Sequence, residues 1–330
     1  MSTQETKLQA IADAIKDKLG TTDAIQASQF AAKIAAIPTG VAKPSWVQST
    51  LPIKKSWTSV CYGNGKFVAV SYFNSTVAAY STDGIGWTQT TLPASANWQS
   101  VCYGDGKFVA VAKNSSIAAY STDGINWTQT ALPGSRNWCS VCYGGGKVVA
   151  VCSGALLPAY STDGVNWTSA RMPVSAKWQS VCYGNRKFVA VAYDSDIAAY
   201  STDGINWTQT TLPASANWQS VCYGDGKFVA VPYGNSFNIA RSTDGINWET
   251  ISIGLNIQWQ SVCYGNGKFV AVIYGDSRCA YSVDAANWIF ISVPASANWQ
   301  SVCYGDGKFV AVTYYNTISA YLKDYFDEWA

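Results

Sequence analysis

The residues able to do chemistry in this 330-residue sequence are few in kind and strongly periodic. Histidine is absent and glutamate occurs only as Glu5, Glu249 and Glu328, so proton transfer would fall almost wholly to aspartate. Six aspartates share one recurring setting, Ser-x-Asp: Asp83, Asp123, Asp163, Asp203, Asp244 and Asp284. All but the last are followed by glycine. Such an aspartate accepts N–H bonds within its own turn while the glycine supplies a positive φ, so the set reads as structural, not as catalytic or calcium-binding. Glycoside hydrolysis needs two carboxyl groups about 5 to 9.5 Å apart, and Asp194 with Asp196 is the one obvious close pair. No catalytic residue, metal or cofactor is assigned.

The ten cysteines are equally regular. Seven of them, from Cys61 and Cys102 to Cys303, occupy one place in a repeating unit. Equivalent positions in successive strands are poorly placed to bridge, so these read as small buried hydrophobes. Cys139 and Cys142 form a C-x-x-C, but residues i and i+3 of a strand point to opposite faces. That thiol usage fits a protein made in a reducing cytoplasm.

The unit that positions these residues is about forty long. Its core, Val-Cys-Tyr-Gly, starts at Val60, Val101, Val141, Val181, Val221, Val262 and Val302, a fixed period that marks a repeat architecture. Within it, "WQSVCY" and "KFVAV" read as strands joined by a two-residue Asp-Gly or Asn-Gly turn such as Asp105-Gly106. A third strand ending Ala-Ala-Tyr-Ser, a second Asp-Gly turn and a fourth strand "NWTQTTL" complete a four-stranded antiparallel meander. Packed radially, such sheets bury both faces. The expected fold is all-β, a seven-bladed propeller. Its seventh unit lacks a fourth strand, and Trp46 to Leu51 reads like Trp87 to Leu92, so residues 46–51 are expected to close blade seven of a domain spanning 46–330.

Residues 1–38 differ. Leu8, Ile11, Ile15 and Leu19, then Phe30, Ile34 and Ile37, fall at helical spacing and predict two short helices, an attachment or self-association module joined by a linker at 39–45. Docking and homo-oligomer formation both stay open. The segment lacks the pattern of a signal peptide or a membrane span. With 13% charged residues, a net charge of +2 and no basic block, nothing suggests a nucleic-acid partner.

In such a propeller the turns bearing "YGDGKF" and "STDGINW" share one nearly uniform face. The opposite face carries the loops that differ between repeats. There stand Tyr72, Tyr193, Tyr233, Tyr274, Tyr314 and Tyr315, with Asn74, Asn114, Asp194, Asn235, Asp276 and Asn316 beside them. Stiff amphipathic rings with short polar groups compose adaptable binding surfaces. Sugars suit them, stacking C–H faces on rings and pairing hydroxyls with Asn and Asp. Weak loop sites on several blades, or several copies, would add through effective concentration.

Two resemblances bear on this reading. "STDGINW", at Ser81, Ser121, Ser161, Ser201 and Ser242, is similar to the Asp-box of sialidase-like propellers, though one residue shorter between aspartate and tryptophan; Ser282 to Trp288 is a degraded copy, and the last unit has only Asp324 with Trp329. It implies the fold. A sialidase would further imply an arginine cluster, whereas Arg136, Arg171, Arg186, Arg241 and Arg278 are scattered. "LQAIADAIKDKLGTTDAIQASQFAAKIAAI" resembles the N-terminal segment of tail and tail-fibre proteins of phages and prophages of gut Gram-positive bacteria. It implies virion attachment through residues 1–38 to other tail proteins, and a receptor-facing module behind, recognising a bacterial surface glycan or protein. The expectation is a non-enzymatic binding protein, made in the host cytoplasm and carried on the tail. A structural or protein-interaction propeller, and a free-standing lectin, are the alternatives; a glycoside hydrolase is the weaker one.

Overall fold

The computed structural model describes residues 44–234 and 237–323. The helices expected over 1–38, most of the linker, Asn235, Asp324 and Trp329 lie outside them. Everything described is strand or turn.

The first repeat shows how the sequence builds its unit. Strand β1 (Ser45–Lys55) precedes β2 (Trp57–Gly63), β3 (Lys66–Ser71), β4 (Ser75–Ser81) and β5 (Thr88–Gly104). The pairs β2–β3, β3–β4 and β4–β5 are antiparallel. Asn64 and Gly65 close the β2–β3 hairpin at φ 46° and 70°, the left-handed pair that a two-residue turn between twisted strands demands. The alternation of "FVAV" is lost because both sheet faces are covered: Phe67, Val68, Ala69 and Val70 are all fully buried. β5 is not one strand of one unit. It runs unbroken from the outer edge of the first repeat into the inner strand of the second, passing Pro93, whose missing N–H is tolerated at an edge.

The Ser-x-Asp-Gly segment turns the third strand into the fourth. In the second repeat the Ser121 hydroxyl donates to Asp123 Oδ1 at 2.9 Å and receives the Gly124 N–H at 2.9 Å. The N–H groups of Ile125 and Asn126 donate to Asp123 Oδ1 at 2.8 Å, and the Asn126 amide donates to Oδ2 at 2.7 Å. Partial desolvation works against the charge, but these donors outweigh it and hold the Asp123 carboxyl well below the usual carboxylate range. Gly124, at φ 74°, lies where a Cβ would come within 2.7 Å of Val68 in the preceding repeat. The sixth copy keeps the same bonds around Asp284 although the sequence is altered, with Ala285 taking the left-handed conformation at φ 61°. Asp123→Ala is expected to cost about 1 to 2 kcal/mol, read as a lower urea midpoint; an unchanged midpoint would show that the turn holds without its carboxylate.

Neighbouring repeats are joined at their inner strands by a recurring bond. The Val101 N–H donates to Ser59 Oγ at 3.1 Å, and Val141 to Ser100 likewise. The series continues through Val302 on Ser261 at 3.2 Å, and Val60 of the first repeat donates to Ser301 of the last at 3.1 Å. At the outer edge β1 pairs antiparallel with the last strand, Asn316–Lys323, in the register Trp46 to Leu322 and Ser49 to Ser319. The Ser49 and Ser319 hydroxyls meet at 2.7 Å.

Candidate functional site

Every inner strand carries the same irregularity. Between its tryptophan and its serine, as at Trp218/Ser220, Trp259/Ser261 and Trp299/Ser301, the register shifts by a β-bulge. A bulge leaves one extra residue unpaired and re-aims its side chain. The bulged residue is Gln219, Gln260 or Gln300 in these repeats, with Thr58 and Cys139 in the first and third. The glutamines thereby face inward, where they meet the ends of the second strands.

Those second strands end in the tyrosines expected from the sequence. Tyr193, Tyr233, Tyr274 and Tyr314 line one cavity of ≈ 320 Å³ together with Gln219, Gln260 and Gln300. The Tyr233 and Tyr274 rings meet edge to face at 6.0 Å between centroids. Desolvation, then the neighbouring phenols Tyr274 and Tyr193, push the Tyr233 hydroxyl above its ordinary pKa. Tyr72 extends the arc: its ring meets Phe73 at 5.1 Å and Phe73 lies 6.1 Å from Tyr314. Its hydroxyl is likewise raised, by desolvation and then by Tyr314. Tyrosine thus holds this place in five repeats, while Lys113 and Ser153 stand there in the second and third.

The other expected residues sit apart from the cavity lining. Tyr315 turns outward, 61% exposed, with Lys54 Nζ 4.5 Å from its ring centroid. Asn74, Asn114 and Asp194 occupy left-handed turn positions at φ 44°, 55° and 58°. Asp194 accepts an exposed ion pair from Lys177 at 2.9 Å, and Asp276 is held by Arg278 at 2.8 to 3.0 Å. Asn316 Oδ1 accepts the Thr317 N–H. Phe73 was not singled out from the sequence; it is 58% exposed at φ 65°, an unusual conformation for a bulky side chain.

Chemically the lining offers rings and amides, with no carboxylate or histidine among the lining residues. Glu249 lies elsewhere, paired with Arg241 at 2.6 Å on an outer strand. All ten cysteines are free thiols, and burial raises Cys102, for instance, to about 12. Among the described residues no group of three or more His, Cys, Asp or Glu side chains is placed to hold a metal ion.

This arrangement, sheets of antiparallel strands packed face to face around a cavity at their inner edges, defines a β-propeller. A family model described as the DUF6242 beta propeller domain matches residues 43–176. No curated protein matches the sequence. Among solved structures, streptogramin B lyase is similar with a TM-score of 0.76 at 12% identity, over 85% of this chain and 98% of that one. The catalytically inactive virginiamycin B lyase from Staphylococcus aureus with quinupristin gives 0.76 at 11%, over 85% and 100%. YCF48 bound to D1 peptide gives 0.67 at 17%, over 84% and 95%. At these identities the likeness is one of fold.

Proposed function

We propose that this protein is a non-enzymatic recognition module: a seven-bladed propeller, closed by β1, that binds a bacterial surface glycan at the inner mouth of its variable face. The carrying observation is the convergence of Tyr193, Tyr233, Tyr274 and Tyr314 with three glutamines on one cavity. Rings present stacking faces, and amides both donate and accept, which is what a sugar's C–H face and hydroxyls require. The closed ring is supported by the Val60–Ser301 bond and the pairing of β1 with the last strand. The resemblance of the Ser-x-Asp-Gly turns to the Asp-box fits the same architecture. The resemblance of residues 1–38 to phage and prophage tail proteins supports the reading of a module carried on a virion, with host attachment as its task.

The test is a glycan and bacterial-polysaccharide array on the full chain. Tyr274→Ala is expected to weaken a bound glycan about tenfold, since one stacked ring contributes on the order of 1 kcal/mol, while the thermal midpoint stays within a degree or two. Lost stability with intact binding would reverse the assignment.

A protein receptor is the second reading, favoured by the apolar side chains that the same face exposes, Phe73 and Phe237 at 58% and 56%. Among the similar folds, YCF48 is one seen with a peptide. Pull-down of a host surface protein that fails with Phe73→Ala, but not with Tyr274→Ala, would select it.

A further inference from the structure

The cavity at the mouth does not end at its glutamines. Gln219, Gln260 and Gln300 also line a second, deeper cavity of ≈ 90 Å³. Its wall is otherwise Thr58, Cys139, further glutamines and the same serines that link the inner strands. Each of those serine oxygens already accepts a valine N–H, so one O–H donor and one further lone pair remain to it. Gln260, only 8% exposed, borders both cavities. A side-chain amide at a cavity wall offers both donors and an acceptor to a group that enters the cavity.

Resting on the glycan reading, we propose that mouth and throat form a single axial site for the terminal residue of a neutral glycan, bound end-on. Size selects the end. The mouth, at ≈ 320 Å³, lies at the small end of ligand pockets, whereas the throat has room for only a few water-sized groups. A sugar ring therefore stays among Tyr233, Tyr274 and Tyr314, and an exocyclic hydroxymethyl or hydroxyl group reaches Gln260 and the serine hydroxyls. An internal residue keeps its exocyclic groups, but both of its glycosidic neighbours would have to fit beside it in a mouth of ≈ 320 Å³, whereas a terminal residue brings only one. Charge selects the neutral class. Neither cavity is lined by a charged side chain, so a carboxylate or phosphate would be desolvated with no counter-charge. The site is then one per chain, rather than one per blade.

Calorimetry on the full chain decides it, using methyl glycosides of glucose, galactose, mannose and N-acetylglucosamine. It is repeated with neutral trisaccharides whose non-reducing terminal residue is free or fully O-methylated. Expected are one ligand per chain, loss of binding on O-methylation, and at least tenfold weaker binding in Gln260→Met. Val283→Ser, in a Ser-x-Asp turn of the opposite face, should leave binding unchanged. Should Gln260→Met fold poorly, Gln219→Met reads the same contact. Glycan binding at several sites per chain, or binding indifferent to the terminal cap and to both glutamine variants, overturns end-on recognition and leaves the glycan reading standing. No saccharide bound at millimolar concentration overturns both.

Discussion

Acidification is expected to unfold this protein steeply below about pH 4, with almost no change in stability between about pH 5 and 8. The flat part follows from composition, since no histidine is present to titrate there. The steep part follows from the turn carboxylates. For Asp163, Asp203 and Asp244, as for Asp123, desolvation opposes the charge but backbone and side-chain donors prevail; for Asp83 and Asp284 a backbone N–H is the leading cause. Asp276 is lowered by Arg278. A carboxyl held below its unfolded pKa contributes stability that is complete above that value and disappears as the pH falls toward the folded one. Each such group adds a slope of up to about 1.4 kcal/mol per pH unit below roughly pH 4, reduced by solvent screening because these side chains are partly exposed. On the alkaline side the sign reverses. Burial raises thiols such as Cys61, Cys142 and Cys263, so their stability is complete below about pH 8.5 and is lost as the pH climbs past it. Urea midpoints across the range check both limbs. A midpoint unchanged from pH 6 to pH 3 would mean that the turn carboxylates are not ionised and bonded as described.

Gly104→Ala is expected to cost about 3 kcal/mol or more, at the upper end of overpacking effects. Its φ does not require glycine; its neighbour does. A Cβ at position 104 would lie 1.9 Å from Tyr143 Cγ, and the same stacking of a tyrosine on the preceding repeat's glycine runs from Gly63 under Tyr103 to Gly305 under Tyr62. Tyr143 cannot step aside without leaving its own sheet. Gly106→Ala is the control: it has a positive φ of 73° but nothing within 4 Å, so only backbone strain of about 1 kcal/mol applies. Thermal melts of the two variants should therefore rank in that order, and Tyr143→Ala should relieve most of the Gly104→Ala defect. The opposite ranking would show that the tyrosine ring yields.

How far the chain could be read without coordinates depended on the range of the physics involved. The Asn64-Gly65 hairpin and the Asp123 turn are local, with every partner within a few residues, so residue type alone predicts them. The pairing of Trp46 with Leu322 was legible only because one repeat was short of a strand that existed at the other end. The tyrosines stood out because the loops around them vary. Gln219, Gln260 and Gln300 did not, since in "WQSVCY" a glutamine looks like the wet face of an ordinary strand. What sends it inward is the bulge beside the tryptophan, a register shift that leaves no mark in composition, and only strand packing brings three such residues together. Ala285 shows the converse: a turn that reads as degraded is kept by the carboxylate of Asp284, which the substitution left in place.

The pairing of β1 with the last strand also sets a waiting time during synthesis. Ser49 leaves the ribosome 270 residues ahead of its partner Ser319. At about 5 to 20 residues per second that is roughly 15 to 55 s in which β1 has no sheet to join. A bare strand edge for that long invites pairing with another nascent chain. The end of β1 reads Leu51-Pro52-Ile53-Lys54-Lys55, with a proline that cannot donate and two lysines that repel a second copy. The segment that pairs with the last strand is thus also guarded against pairing with a second chain.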